Sequence, residues 1–396
     1  MRRLVLLGVL LLAAALASAK APNVVVLLAD DAGWGDYSFN GNRQVATPHI
    51  DGIAKAGAHF DRFFVQPVCA PTRSEFLTGR YHRRLGVYGV STGQERMNPD
   101  EKTVADSFKR AGYVTGLFGK WHNGSQWPYH PLARGFDTFW GYTSGHWGEY
   151  FDAPLEHNGV MKTSKGYIVD VLTEKALQFI DRNKAKPFLC YVPFTTPHSP
   201  WAVPDSYWQR FKNKSITQRA TIPEQEGLEE TRCALAMIEN QDWNVGRILA
   251  RLDELKLADN TIIVFFSDHG WLLGEHGGQW QKRSLFEESA RVLRARGFLA
   301  DARVTYRAYD PQTNTVEVDV YVRDSWSLAP DLKLSRSGGE TEWGVGLSDG
   351  NLLGTFGENG TSVFGWWVLQ DATFQQNYST QFSLIMAQEI VAGTAE

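Results

Sequence analysis

An acidic pair, an acid–imidazole pair and a set of basic residues are the most reactive-looking features of this chain. Asp30-Asp31 and Asp268-His269 are far apart in sequence, yet each pair follows a short apolar run. Three carboxylates brought together repel one another unless a cation holds them. With oxygen ligands dominating, Ca²⁺ or Mg²⁺ is the expected ion, and Zn²⁺ is second because His269 is adjacent. Arg73, Lys120, His122, His198 and Lys282 supply positive charge and N–H donors. Such a cluster can hold a tetrahedral oxyanion and stabilise charge developing on it. Sulfate and phosphate esters both fit, and charge pattern alone does not decide between them. Cys69-Ala70-Pro71-Thr72-Arg73 reads as a loop between helical segments, which sets Cys69 apart from the other cysteines.

Something must bring these residues together. Four apolar runs, at residues 23–28, 113–118, 187–194 and 261–266, read as fully buried strands without alternation. Helical patterns at 103–111, 168–183 and 231–255 separate them, which predicts a parallel sheet covered on both faces. Polar residues follow each strand end: Asp30 and Asp31, then Lys120 and His122, then His198, then Asp268 and His269. Any one pair could be a capped turn or a surface charge. Ligands of open α/β sheets bind outside the carboxyl ends of the strands, so agreement among all four points to one shared site.

The bulk composition sets the frame. The 396 residues carry a formal net charge of -4, which gives no electrostatic case for nucleic-acid binding. Arg2 and Arg3 precede an apolar run over residues 4–16 and then Ala17-Ser18-Ala19. That pattern is a secretory signal with a small-x-small cleavage site before Lys20, so residues 1–19 are expected to be removed from an exported, periplasmic or secreted protein. The run is too short to span a bilayer comfortably, and no Cys follows it to carry a lipid. Of three cysteines, Cys190 and Cys233 read as small buried hydrophobes, and the odd number leaves at least one thiol unpaired. Several of the 14 tryptophans, Trp121, Trp127, Trp140 and Trp147 among them, fall in loop-like stretches. Flat rings beside a polar pocket suit sugars, but packing into the core suits any one of them at least as well.

The motifs also carry a family resemblance. Cys69-Ala70-Pro71-Thr72-Arg73, continued by Phe76-Leu77-Thr78-Gly79-Arg80, resembles the signature of type I sulfatases. Ala29-Asp30-Asp31-Ala32-Gly33-Trp34-Gly35-Asp36 is similar to the family's metal-binding start. Gly119-Lys120-Trp121-His122, Thr196-Pro197-His198 and Ser267-Asp268-His269-Gly270 match three further blocks. Gly274-Glu275-His276-Gly277 through Lys282 and Glu287-Glu288 matches a sixth. Six blocks in order over roughly residues 22–293 are specific, whereas a lone Cys-x-Pro-x-Arg would be weak.

The resemblance implies an alkaline-phosphatase-like α/β fold, a three-layer sandwich with a mostly parallel central sheet. It implies Ca²⁺ held by Asp30, Asp31, Asp268, His269 and the modified Cys69. It further implies that a maturation enzyme oxidises Cys69 to formylglycine (3-oxoalanine). A Ser or Cys nucleophile would be left with a sulfate ester that water attacks poorly, whereas a hydrated aldehyde has a second hydroxyl able to expel sulfate. Carried over, Arg73 and His122 position the diol, with His122 the base for sulfate elimination. Lys120, His198 and Lys282 hold sulfate oxygens, and His198 protonates the leaving oxygen.

The pattern changes near Leu293. In the family, the block ending in Ala290-Arg291-Val292 leads into Pro and another buried strand; here it leads into Leu293-Arg294-Ala295-Arg296-Gly297. Antiparallel alternation then dominates, as in Val316-Glu317-Val318-Asp319-Val320-Tyr321-Val322. Residues 20–293 are therefore expected to be a truncated catalytic domain, and 294–396 a β-rich, fused segment. Tyr309-Asp310-Pro311, Asp324-Ser325-Trp326 and Ser337-Gly338-Gly339 resemble an outer-membrane protein of the barrel-assembly and two-partner-secretion superfamily. A few strands cannot close a barrel, so no intact membrane domain is expected. The reading that follows is hydrolysis of a sulfated small molecule or glycan. The alternatives are phosphate or phosphonate ester hydrolysis on the same fold, and a catalytically dead chimera.

Overall fold

A computed structural model gives the fold. It describes residues 20–60, 63–217, 224, 226–273, 299–310, 315–324, 328–337 and 340–349. The export segment 1–19, the 293/294 boundary and Lys282 lie outside the described residues. The chain divides into two compact units, Met1–Lys282 and Arg283–Glu396.

The first unit holds a seven-stranded sheet. Its strands are β1 (Asn23–Asp30), β2 (Val114–Lys120), β3 (Thr138–Tyr142), β4 (Pro154–His157), β5 (Val160–Thr163), β6 (Phe188–Pro197) and β7 (Thr261–Ser267). The order across the sheet is β5-β4-β3-β2-β6-β1-β7. β7, β1, β6, β2 and β3 are parallel, while β4 and β5 extend the edge antiparallel. Among the described residues six α-helices accompany it: α1 (Pro48–Ala56), α2 (Cys69–Thr78), α3 (Val104–Arg110), α4 (Ile168–Asn183), α5 (Asp205–Phe211) and α6 (Leu228–Glu254).

Strand alternation divides the core into two layers. Val25, Leu27 and Ala29 of β1 pack with Phe188, Cys190 and Val192 of β6 against α4 and α6. Val24, Val26 and Leu28 pack on the other face with Ala70 and Leu77 of α2 and Ala105 of α3. Successive strand side chains point to opposite faces, so a strand apolar throughout must be covered twice. α4 shows the helical counterpart: Ile168, Leu172, Ala176 and Phe179 recur at one face and are buried. The architecture is the expected three-layer α/β sandwich.

Three details differ from the sequence reading. First, β1, β2, β6 and β7 end one to three residues later, so Asp30 and Lys120 are the last residues of their strands. Second, β7 is an edge strand among the described residues, not a fully buried one. It pairs only with β1, and Ile262 and Val264 are 52% and 38% exposed. Third, strands β3, β4 and β5 were not anticipated. They are four or five residues long and lie toward the far edge, too short to show a clear period.

In the second unit, β8 (Leu299–Asp310) pairs antiparallel with β9 (Thr315–Asp324), and β10 (Leu328–Ser337) with β11 (Glu340–Asp349). Among the described residues no helix is long and apolar enough to cross a membrane.

Two glycines let the sheet close up beside the future site. Gly119 has φ 148°, and a Cβ there would overlap the carbonyl oxygen of Pro193 on β6. Gly141 has φ 156°, and a Cβ there would overlap the carbonyl oxygen of Gly119. Backbone cannot yield as a flexible side chain can, and the dihedrals themselves disfavour other residues. Gly119→Ala is therefore expected to lose at least about 3 kcal/mol of unfolding free energy. A urea denaturation midpoint equal to that of the unsubstituted protein would refute this.

Candidate active site

Four parallel strands point their carboxyl ends at one sheet edge, and the polar residues collect there. Asp30 ends β1 and Asp31 follows with φ 73°; its amide donates to Asp268 Oδ1 at 3.0 Å. Asp268 and His269 directly follow β7, and the Asp268 amide donates to the Ala29 carbonyl at 3.1 Å. Lys120 ends β2, and His122 lies two residues beyond with φ 64°. His198 directly follows β6. A non-glycine residue in left-handed conformation is costly, and surrounding structure must hold it there. Two such residues, Asp31 and His122, stand at this edge.

Cys69 does not lie in a loop. It is the first residue of α2, with Val68 as N-cap. Pro71 is tolerated because the first turn of a helix has no partner for its amides. Arg73 is four residues on from Cys69, hence on the same helix face. Cys69, Arg73 and the residues between them are buried, and Gly79 closes the helix with φ 67°. Thr72 Oγ1 donates to the Gln66 carbonyl at 3.1 Å and accepts from the Gln66 amide, which ties down the incoming chain. Asn123 Nδ2 donates to the Ala70 carbonyl at 3.1 Å, joining α2 to the end of β2.

Arg73 is fully buried and holds three strand ends together. Its Nε donates to Asp268 Oδ2 at 3.0 Å, a terminal nitrogen lies 3.2 Å from Asp30 Oδ1, and another donates to the Lys120 carbonyl. Lys120 Nζ donates to both Asp30 oxygens, at 2.9 and 2.8 Å. Three carboxylates thus face two permanent cations. His269 answers the remaining charge: its Nε2 is 3.0 Å from Asp31 Oδ1, 3.6 Å from Asp268 Oδ1 and 3.0 Å from Cys69 Sγ. Burial opposes the imidazolium, but Asp268, Cys69 and Asp31 outweigh it and push His269 up to about 10. Burial likewise opposes the Cys69 thiolate, yet Lys120 and His269 bring the thiol below its ordinary value.

These groups fit a divalent cation. One donor atom each from Asp30, Cys69, Asp268 and His269 lie within 4.8 Å of one another, and so do donors of Asp31, Cys69 and His198; all are buried. His269 Nδ1 is 2.9 Å from the Gly270 carbonyl. A carbonyl only accepts, so Nδ1 carries hydrogen and neutral His269 presents its Nε2 lone pair, the form a ligand needs. A cation would take over the charge that the His269 proton now balances.

The remaining histidines are set differently. His122 Nε2 donates to the Val90 carbonyl at 2.8 Å, while buried Nδ1 has no hydrogen-bond partner among the described residues. Burial, then the Lys120 charge, lowers His122 to about 3, so it is a neutral base with an open Nδ1. His198 Nδ1 donates to the Ser199 carbonyl at 2.6 Å, and Nε2 is 3.7 Å from Asp31 Oδ2. The rings of His146 and Trp271 lie 5.4 and 5.7 Å from that of His198, and Trp201 lies 5.4 Å from Trp271.

All predicted site residues except Lys282, which lies outside the described residues, therefore meet at one edge. Sequence reasoning missed the supports: Tyr150, whose hydroxyl lies 2.8 Å from the His198 carbonyl, Gln241, which donates to the Thr196 carbonyl, and His146. Nothing in their spacing marks them. Of the tryptophans, Trp121 is 1% exposed and a core residue, its Nε1 bonded to the Tyr129 carbonyl, whereas Trp127 is 70% exposed. Trp140 stacks on His157 and Trp147 on Tyr142. Cys190 and Cys233 are buried with raised thiols, and no disulfide is present among the described residues.

His122 makes folding acid-sensitive. Below pH 6.5 the unfolded chain takes up a proton here that the folded chain refuses until about pH 3. Stability should fall with acid over that window, by about 2 kcal/mol from this residue between pH 7 and 5. His122→Asn should shrink the pH 7-to-5 loss measured by urea unfolding by that amount. An undiminished loss would refute the neutral His122.

The comparisons with known proteins agree with this fold. The Sulfatase family model matches residues 22–292. Human N-acetylgalactosamine-6-sulfatase is 32% identical over 291 residues, 65% of this chain and 52% of that protein. N-acetylglucosamine-6-O-sulfatase of Bacteroides thetaiotaomicron is 26% identical, over 69% of this chain and 62% of its own. The crystal structure of Ps i-CgsB in complex with k-i-k-neocarrahexaose superposes with TM-score 0.56 and 31% identity, over 64% of this chain and 60% of that one. The chain spans about half the length of the N-acetylgalactosamine-6-sulfatases it matches. Over the residues that build the sheet and its site, the chain belongs to the sulfatase family.

Proposed function

We propose that this chain hydrolyses sulfate esters of carbohydrates. The observation that carries the reading is the buried turn from Cys69 to Arg73, placed against the ends of β1, β2 and β7. The carbohydrate part is supported by the amino-sugar sulfatases and the neocarrahexaose complex among its relatives. It is also supported by the imidazole and indole rings of His146, Trp271 and Trp201 grouped beside His198. The basic, apolar start of the chain supports export to the periplasm or beyond.

Ca²⁺, held by Asp30, Asp31, Asp268, His269 and residue 69, would supply positive charge to the substrate's sulfate oxygens. Residue 69, oxidised to formylglycine by a maturation enzyme, would supply a nucleophile with a second hydroxyl able to expel sulfate. Everything else falls to the chain's own side chains. Arg73 fixes Asp30 and Asp268 at one spacing, and Lys120 adds charge beside residue 69. His122 accepts a proton at Nδ1, since its Nε2 is committed to Val90. His198, with Nε2 facing Asp31, donates a proton to the leaving oxygen. Lys282 binds sulfate oxygens by its place in the matched motif.

Protein from a host with the maturation enzyme should release sulfate from an aryl sulfate and a 6-sulfated amino sugar faster than phosphate from the matching esters. Its Cys69 peptide should appear at the aldehyde mass in mass spectrometry. Cys69→Ala should lower turnover at least roughly a thousandfold. Equal or faster phosphate release would reassign the chain to phosphate ester hydrolysis.

Metal binding has its own test. Ca²⁺ added at a hundredfold excess over its Kd to chelator-treated protein should stabilise it by about 2.7 kcal/mol, read as a rise in Tm. Asp31→Asn should lose most of that rise. A rise with Zn²⁺ but none with Ca²⁺ would reassign the ion.

A further inference from the structure

We propose that Gly145 is a positioning residue for His122, and that its missing side chain sets the direction of the imidazole. The inference rests on the reading of His122 as the proton acceptor in sulfate ester hydrolysis.

The loop after β3 continues the strand pairing past the sheet. The Trp121 amide donates to the Tyr142 carbonyl at 3.0 Å and the His122 amide to the Thr143 carbonyl at 3.2 Å. The chain then turns over the His122 ring. A Cβ built on Gly145 would overlap His122 Nε2 and Cε1 and lie 2.7 Å from Cδ2. Gly145 is not among the residues with positive φ, so its φ does not demand glycine. The requirement is room: the backbone lies against the Nε2 edge of the ring.

That edge has a second constraint. Nε2 donates to the Val90 carbonyl, so the imidazole is held between an acceptor and the Gly145 backbone. Rotating the ring away would break the Val90 bond and redirect Nδ1. Moving the loop away is opposed on both sides of Gly145. Ser144 Oγ donates to the His146 carbonyl at 2.6 Å, which closes a turn around Gly145. Trp147 stacks on Tyr142 at 5.1 Å and 19°. Added bulk at 145 therefore displaces the His122 ring more readily than the loop. Misplacing a reacting group by about 1 Å can cost a hundredfold in rate.

The test combines turnover with a direct view of the ring. In sulfate release, Gly145→Ala should lower kcat roughly ten- to hundredfold and leave KM within about twofold. Added to His122→Ala, it should cause no further loss, because the group it positions is gone. In nitrogen–proton NMR of histidine-labelled protein at pH 7, assigned with His122→Gln, His122 should show hydrogen on Nε2. Gly145→Ala should shift that signal. Ser144→Ala, which loosens the turn without adding bulk, should move kcat and the signal the same way and covers poor folding of the first variant. Unchanged kcat and an unchanged His122 signal in both variants would overturn the proposal. So would an equal further loss in the His122→Ala background. If the unsubstituted, matured protein releases no sulfate, the sulfatase reading fails by itself, and the NMR shift still decides whether Gly145 seats His122.

Discussion

Arg73 is the interaction on which the site depends. Its guanidinium bonds Asp268, Asp30 and the Lys120 carbonyl, and so joins β7, β1 and β2 where each strand ends. Removing three carboxylates from water is expensive, and their repulsion adds to the cost. The structure meets both with cations that are themselves buried. Arg73 suits this better than a lysine, because its planar fork can serve two carboxylates and a carbonyl at once. The helix that carries it also carries Cys69 one turn earlier, so the residue that closes the charge network fixes residue 69 beside the carboxylates. Arg73 is thereby structural and functional through the same bonds.

The sheet explains why those bonds can form. Parallel strands bring all their carboxyl ends to one edge, and coverage on both faces demands the unbroken apolar runs seen in β1 and β6. Close packing then admits only glycine at 119 and 141, where neighbouring carbonyls approach. The strain of left-handed Asp31 and His122 is held against this rigid frame. Asp268, donating to Ala29 and accepting from Asp31, illustrates the coupling: one residue fixes strand spacing and presents a carboxylate to the site.

The strand ends and the chemical residues were legible because fully buried strands leave a strong signal and reactive residues follow them directly. β7 was misread for a physical reason. Ile262, Val264 and Phe266 are what a buried strand would carry, and composition does not reveal that β7 has one neighbour among the described residues. The helix at Cys69 was hidden because α2 is buried nearly all round its first turns and so shows no apolar stripe. The loop-like surroundings of Trp121 suit a sugar platform or the core, and the structure decides for the core, where it packs against Phe136. Gly145 and Tyr150 act through contacts with residues 23 to 48 positions away, which no local pattern encodes.

Two histidines at this edge show how position assigns chemistry. His269 and His122 are both buried, and burial alone would keep both neutral. His269 stands among Asp31, Asp268 and Cys69, and their charge overrides burial. His122 stands beside Lys120 and Arg73, whose charge adds to burial. One imidazole is therefore held charged, and the other is held neutral with an open lone pair. Pairs of titratable groups driven apart in this way divide the work of a site. Here the division follows from which strand each histidine follows. β7 delivers His269 to the acidic side of the Arg73 network, and β2 delivers His122 to its basic side.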